Sequence, residues 1–222
     1  MPATTTVYAL PYPIGTDPAK DGNDLIQQLA ERVEALLAQR DALTRRNVIR
    51  NGDFGVAQRG SGPWTTNGAR TVDGWTQQCV GGTHTLTRVE WPPGLPPQPR
   101  FSIRSTVAGQ SAAADQACLN ARIEDVRTLA GQQVTLSFSA AASAGTPKIA
   151  VSVLQYFGTG GATQLETAMQ AVTISATWTR YSITFTVPSI VGKTVGTGND
   201  HWVGVFLYLS AGASVTQAPG IG

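Results

Sequence analysis

The chain has 222 residues, a formal net charge of +2, 41% apolar and only 14% charged residues, with 24 glycines and 13 prolines. That length is ample for a sizeable core, and apolar runs of strand length exclude a disordered chain despite the low charge. No dense Lys/Arg block is present, which argues against a nucleic-acid or anionic-membrane surface, and no stretch reaches the ~20 apolar residues of a membrane span.

Residues 1–22 hold Pro2, Pro11, Pro13 and Pro18 with Gly15 and Gly22, and read as an extended arm with turns. Tyr8, Leu10, Tyr12 and Ile14 are too apolar for a free tail, so the arm is expected to dock onto the rest of the chain or a partner. The first residues lack a basic start and an apolar stretch of signal-peptide length, which points to folding in a cytoplasm.

Residues 23–46 read as a helix. Asn23 or Asp24 is placed to cap it, with Gln27 at capping-box distance from Asp24, and no Gly or Pro interrupts Leu25 to Arg45. Ile26, Leu29, Val33, Leu36 and Leu43 follow three-to-four spacing, broken at Arg40. The stripe resembles a short coiled coil, and about three heptads are marginal in isolation. It either lies on the chain's own β domain or self-associates, and its narrowness favours self-association. Arg32, Arg40, Arg45, Arg46 and Arg50 read as a solvated helix end favoured by the dipole.

From Asn47 the pattern is β. Asn51-Gly52-Asp53-Phe54 reads as a tight turn feeding a first strand, with Gly52 supplying an unusual φ, Asp53 bonding nearby N–H groups and Phe54 starting the core. Alternation predicts half-buried strands at 132–142, 148–157 and 178–187, and weaker ones at 72–79, 83–91, 100–106, 116–123 and 170–176. Residues 202–209 are apolar on both faces, with Val203, Val205, Leu207 and Leu209 opposed by Trp202, Phe206 and Tyr208. A strand covered on both sides implies a partner surface, a ligand or another subunit. Eight or more strands at these spacings predict a mainly β fold, an antiparallel jelly-roll sandwich preceded by the arm and one amphipathic helix. Residues 92–99 form a stiff prolyl loop. Cys79 and Cys118 are expected as free thiols.

Catalytic constellations are missing. His84 and His201 are far apart, and no metalloprotease, Cys-x-x-Cys, nucleophile-elbow or phosphate-loop motif occurs. Glu124 and Asp125 are adjacent, so they diverge rather than face each other across a cleft, and they are expected to pair with Arg122 and Arg127. The chain therefore reads as a non-enzyme without cofactor. Calcium near Asn51 and Asp53 lacks the required density of oxygens, so no metal is expected. Sugars stack on aromatic rings while amides and carboxylates bond their hydroxyls. Trp64, Trp91, Tyr156 and Trp202, with Gln155, Asn199 and Asp200 nearby in sequence, are the glycan-binding candidates, and Trp75 and Trp178 are assigned to the core.

Several blocks recur in a known order: Asn47-Val48-Ile49-Arg50-Asn51-Gly52-Asp53-Phe54 with Gln58-Arg59-Gly60, Thr71-Val72-Asp73-Gly74-Trp75, Arg122 to Gly131, Gln155 to Gly161, and Trp178 to Ile190 closed by Gly198-Asn199-Asp200. Together they resemble the carbohydrate-binding-module-like jelly rolls of bacteriophage tail and fibre proteins. Tyr8 to Asp17 with the helix that follows is similar to the N-termini of structural proteins from phages of actinobacteria. The resemblance implies a homotrimeric virion surface protein, a tail appendage or capsid decoration, made in the host cytoplasm. Residues 1–22 would anchor it, 23–46 would trimerise it, and 1–46 would meet other virion proteins. The head, 47–222, would contact host-surface glycans. Related jelly rolls continue into a further strand, whereas this chain ends at Gly220-Ile221-Gly222, so the last strand is expected from elsewhere or beyond. The alternative is a carbohydrate-binding module of a secreted polysaccharide-degrading enzyme.

The helix yields a direct test. Leu29→Asp or Leu36→Asp would bury an unpaired charge in a self-associating seam and should dissociate the assembly. An unchanged native mass in light scattering would remove the coiled coil.

Overall fold

The computed structural model describes residues 3–4, 11–12, 22–43, 47–91 and 99–215. The arm residues Tyr8, Leu10 and Ile14, the side chain of Leu43, most of the prolyl loop and the end at Gly220 lie outside the described residues. Two compact units are present, Met1–Val48 and Ile49–Gly222.

In the first unit, β1 (Ala3–Thr4) pairs antiparallel with β2 (Pro11–Tyr12), so the described parts of the arm form a minimal ladder. The helix α1 spans Gly22–Leu43. It begins ahead of the expected caps, which places Asn23 and Asp24 inside its first turn, where the Asp24 charge complements the dipole. Gln27 donates to Glu31 Oε1 at 2.9 Å, one turn onward, and not back toward Asp24. Ile26, Leu29 and Val33 are 67%, 37% and 39% exposed, and Leu36 is half-buried. The apolar stripe is therefore largely open to solvent in the single chain.

The second unit is an antiparallel β sandwich. Its larger layer contains β3 (Trp75–Val80), β6 (Gln116–Glu124), β8 (Lys148–Tyr156), β9 (Leu165–Glu166), β10 (Gln170–Thr173) and β12 (Trp202–Ala211). The order is β10-β8-β12-β6-β3, with β9 on β8. The other layer has two ladders, β4 (Thr83–Glu90) with β5 (Phe101–Ala108), and β7 (Gln133–Ala140) with β11 (Thr179–Thr186). Gly81 and Gly82, both left-handed at φ 67° and 54°, turn the chain from β3 into β4 within two residues. Trp91 after β4 and Trp178 before β11 pack in a tilted pair with ring centroids 4.0 Å apart and thereby link the two ladders. Trp178, expected in the core, is half-buried in that pair.

Register fixes which side chains enter the core. Trp75, Leu119, Ala121 and Leu207 share the inward face of the large sheet and pack with Leu86 of β4 and Ile103 of β5. Ile183 and Phe185 of β11 are buried from the other ladder. The outward positions of those ladders are hydroxyl-rich. Thr135 bonds Thr184 across the strands at 2.9 Å, and Arg180 donates to Ser137 at 2.6 Å.

The segment ahead of β3 is a turn and not a strand. Left-handed backbone occurs at Asn51 (φ 52°) and Phe54 (φ 56°), and not at Gly52. Asparagine tolerates that conformation and here also uses its side chain: Nδ2 donates to the carbonyls of Val56 and Asp73, both at 2.8 Å, and Oδ1 accepts from Val56 N–H at 2.9 Å. Asp53 accepts from Gly55 N–H at 3.3 Å, as its position suggests. Phe54 packs on Trp75, ring centroids 5.3 Å apart. The expected ion pair is also redistributed: Glu124 pairs with Arg50, while Asp125 pairs with Arg127.

Cys79 and Cys118 are both free thiols. Gln78 is the register partner of Cys118, so Cys79 points to the opposite face of the sheet, and the two sulfurs cannot meet without moving the backbone. Burial pushes the Cys118 thiol up to about 12.

His84 is buried, with Nε2 2.9 Å from Ser105 Oγ, and desolvation holds its pKa below the ordinary 6.5. The unfolded chain then binds the proton first, so stability is full above about pH 6.5 and declines as pH falls through that value. Melting temperature should drop between pH 7.5 and 5.5, and His84→Gln should flatten that slope. A wild-type slope that the substitution leaves intact would assign the effect to other groups.

Candidate functional site

The outward face of the large sheet differs from the hydroxyl-rich side of the sandwich. Antiparallel partners share a face, and register places Trp202 opposite both Glu124 and Tyr156, Gly204 opposite Arg122 and Leu154, Phe206 opposite Asn120 and Ser152, and Tyr208 opposite Cys118 and Ala150. Thr76 and Gln78 extend those rows onto β3. The face therefore carries aromatic rings, amides and few charges, Arg122 and Glu124 among them.

Four rings form a continuous row. Tyr156 and Trp202 have centroids 5.4 Å apart, Trp202 and Phe206 are 6.0 Å apart, and Phe206 and Tyr208 are 6.0 Å apart, with interplanar angles of 35°, 27° and 25°. Gly204 makes this possible. A Cβ there would lie 3.1 Å from Trp202 Cζ3 and 3.2 Å from Phe206 Cε2, because both rings lean into the space that glycine leaves.

The two ends of the row differ. Phe206 and Tyr208 are buried, together with Cys118, Ala150 and Leu154, and Met169 and Val215 of the same chain pack against that cluster. Part of the cover expected for a two-sided apolar strand thus comes from the chain itself. Tyr208 donates to Glu166 Oε1 at 3.2 Å, and Ser152 Oγ donates to the same oxygen. Burial, and then the Glu166 charge, push the Tyr208 phenol well above its ordinary range, so it serves as a donor. At the other end, Tyr156 and Trp202 are only half-buried, and the exposed Arg122 guanidinium lies 4.4 Å over the Trp202 ring.

Asn120 lies between these ends and is fully buried. Its side chain sits against the Cys118 thiol, where a hydrogen bond offsets part of the rise that burial imposes. The thiol also donates to Gln78 Oε1 at 3.3 Å.

Of the sequence candidates, the structure brings Tyr156 and Trp202 together. Gln155 points to the interior, where its Nε2 donates to the Pro188 carbonyl at 3.1 Å. Trp64 packs on the inward cluster, and Trp91 packs in a tilted pair with Trp178. Asn199 takes a left-handed turn at φ 52°. Asp200 clamps the loop after β8, accepting from Thr159 N at 3.0 Å and Thr159 Oγ1 at 2.7 Å. Those side-chain and backbone bonds hold its carboxyl below the usual range. The row adds Arg122, Asn120 and Phe206. Their parity on single strands was readable, but their adjacency depends on pairing between distant strands. Among the described residues no cluster of three metal-ligating side chains occurs, and no helix is long and apolar enough to cross a membrane.

No family model and no curated protein matches the chain. Among solved structures, the enzymatically active domain of tailspike protein 4 from bacteriophage CBA120 is similar at 15% identity and a TM-score of 0.38, over 61% of this chain and 17% of that one. The likeness to this phage tail component is coarse, and the chain spans only a small part of its length.

Gly204→Val tests the aromatic row. The added methyls would force Trp202 and Phe206 apart at a cost of about 1–3 kcal/mol, and the Trp emission should shift. A variant with wild-type melting and emission would show that the rings do not depend on that gap.

Proposed function

We propose that the chain is a non-enzymatic surface protein of a tailed-phage virion, whose jelly-roll head contacts host-surface glycans through the Tyr156–Trp202 end of the large sheet. The observation that carries this reading is the half-buried ring pair, flanked by the exposed Arg122 guanidinium. An apolar plate beside hydrogen-bonding groups suits a pyranose, which has one face of C–H groups and a rim of hydroxyls. The ordered motif blocks from Asn47 to Asp200 add their resemblance to phage tail and fibre jelly rolls.

The largely exposed Ile26, Leu29 and Val33 stripe supports self-association by the helix as a homotrimer. Residues 1–46 would then hold the protein to other virion components and leave the head free.

Two measurements test this. Light scattering should give a trimer for the full chain and a monomer for a chain beginning at Asn47. A glycan array should show binding by the full chain that Trp202→Ala weakens by about tenfold, the scale of a lost ring contact. A monomer that still binds glycans would favour a free carbohydrate-binding module of a secreted enzyme. A trimer that binds none would leave a purely structural virion part.

A further inference from the structure

Arg70 and Arg122 lie on one face of the large sheet toward the open end of the aromatic row, and among the described residues no carboxylate pairs with either of them. Arg70 joins the outward face through its bridge to Thr76, whose register partner is Asn120. Arg122 follows Asn120 by two residues on the same face and lies over Trp202. Both are exposed, and neither forms an ion pair among the described residues. The neighbouring acids are engaged elsewhere. Glu124 is held by Arg50, Asp73 accepts from Gln58 N–H and pairs with Arg59, and Glu166 is held by Ser152 and Tyr208. Partial burial, then the like charge of Arg70, lower the Arg122 pKa from its ordinary value, a repulsion that a bound anion would relieve.

We propose that Arg70 and Arg122 form an oxyanion subsite, which takes the carboxylate or phosphate of an acidic glycan whose sugar ring lies against Trp202 and Tyr156. This rests on the glycan reading above and narrows it to charged polymers. Guanidinium groups suit the task because their planar fork matches both carboxylate and phosphate oxygens.

The test uses the full chain and three probes: hexagalacturonate, its fully methyl-esterified form, and a phosphorylated mannan. Titration calorimetry at low salt should give at least one acidic probe about tenfold tighter binding than the neutral ester, the scale of a charge-assisted pair. The double variant Arg70→Gln with Arg122→Gln should bring that probe down to the level at which the same variant binds the ester. Whichever acidic probe loses more identifies the anion as carboxylate or phosphate. Equal affinity for acid and ester in the unaltered chain would overturn the subsite and leave the glycan reading standing. Acid binding that survives the double variant, or that Trp202→Ala leaves untouched, would overturn it too, by showing that the anion sits elsewhere. No binding of any probe would remove both this proposal and the reading beneath it.

Discussion

Strand β12 is the constraint on which the sandwich depends. Its backbone is bonded along one edge to β6 and along the other to β8, so it has no free edge through most of its length. Its side chains face two environments at once, with Val203, Val205 and Leu207 toward the core and Trp202, Phe206 and Tyr208 toward the outer row. A polar residue at almost any of these positions would lack a partner on both sides. The register shift between Tyr208 and Ser210 comes only after the rings have been set, so the irregularity does not disturb them.

A smaller device holds the entry to that core. Asn51 ties the turn at 51–56 to the Asp73 carbonyl with one side-chain amide, and its own carbonyl accepts from the Trp75 indole at 3.1 Å. Arg88 reinforces the same turn by donating to the carbonyls of Phe54 and Gly55, at 2.7 and 2.8 Å. The irregular segment before the first strand of the sandwich is therefore satisfied by side chains where no ladder is available.

The strands were legible in the sequence because a period of two is a local property. Tyr181, Ile183 and Phe185 show it in β11, and the two-sided run from Trp202 shows it in β12. The turn at Asn51 was legible as a turn, but its chemistry was misassigned: glycine permits a left-handed φ, yet asparagine can adopt one and use its amide as well. Gln155 beside Tyr156 shows the limit for the site, because neighbours along a strand face opposite sides and only one of them can line a surface. The meeting of Arg70, Asn120, Arg122 and Trp202 was not legible. It follows from the pairing of β3, β6 and β12, which are separated by loops whose lengths do not determine the strand order.

The contrast between the two sides of the sandwich has a physical consequence. The ladder of β7 and β11 presents Thr135, Ser137, Ser182 and Thr184 outward, with Arg180 the charged residue among them. Hydroxyls neither ionise near neutral pH nor attract a counterion cloud, so the water held by that surface changes little with acidity or ionic strength. Two such faces brought together would feel neither strong repulsion in dilute medium nor adhesion in brine. The hydroxyl face thus keeps nearly the same hydration at low and at high ionic strength.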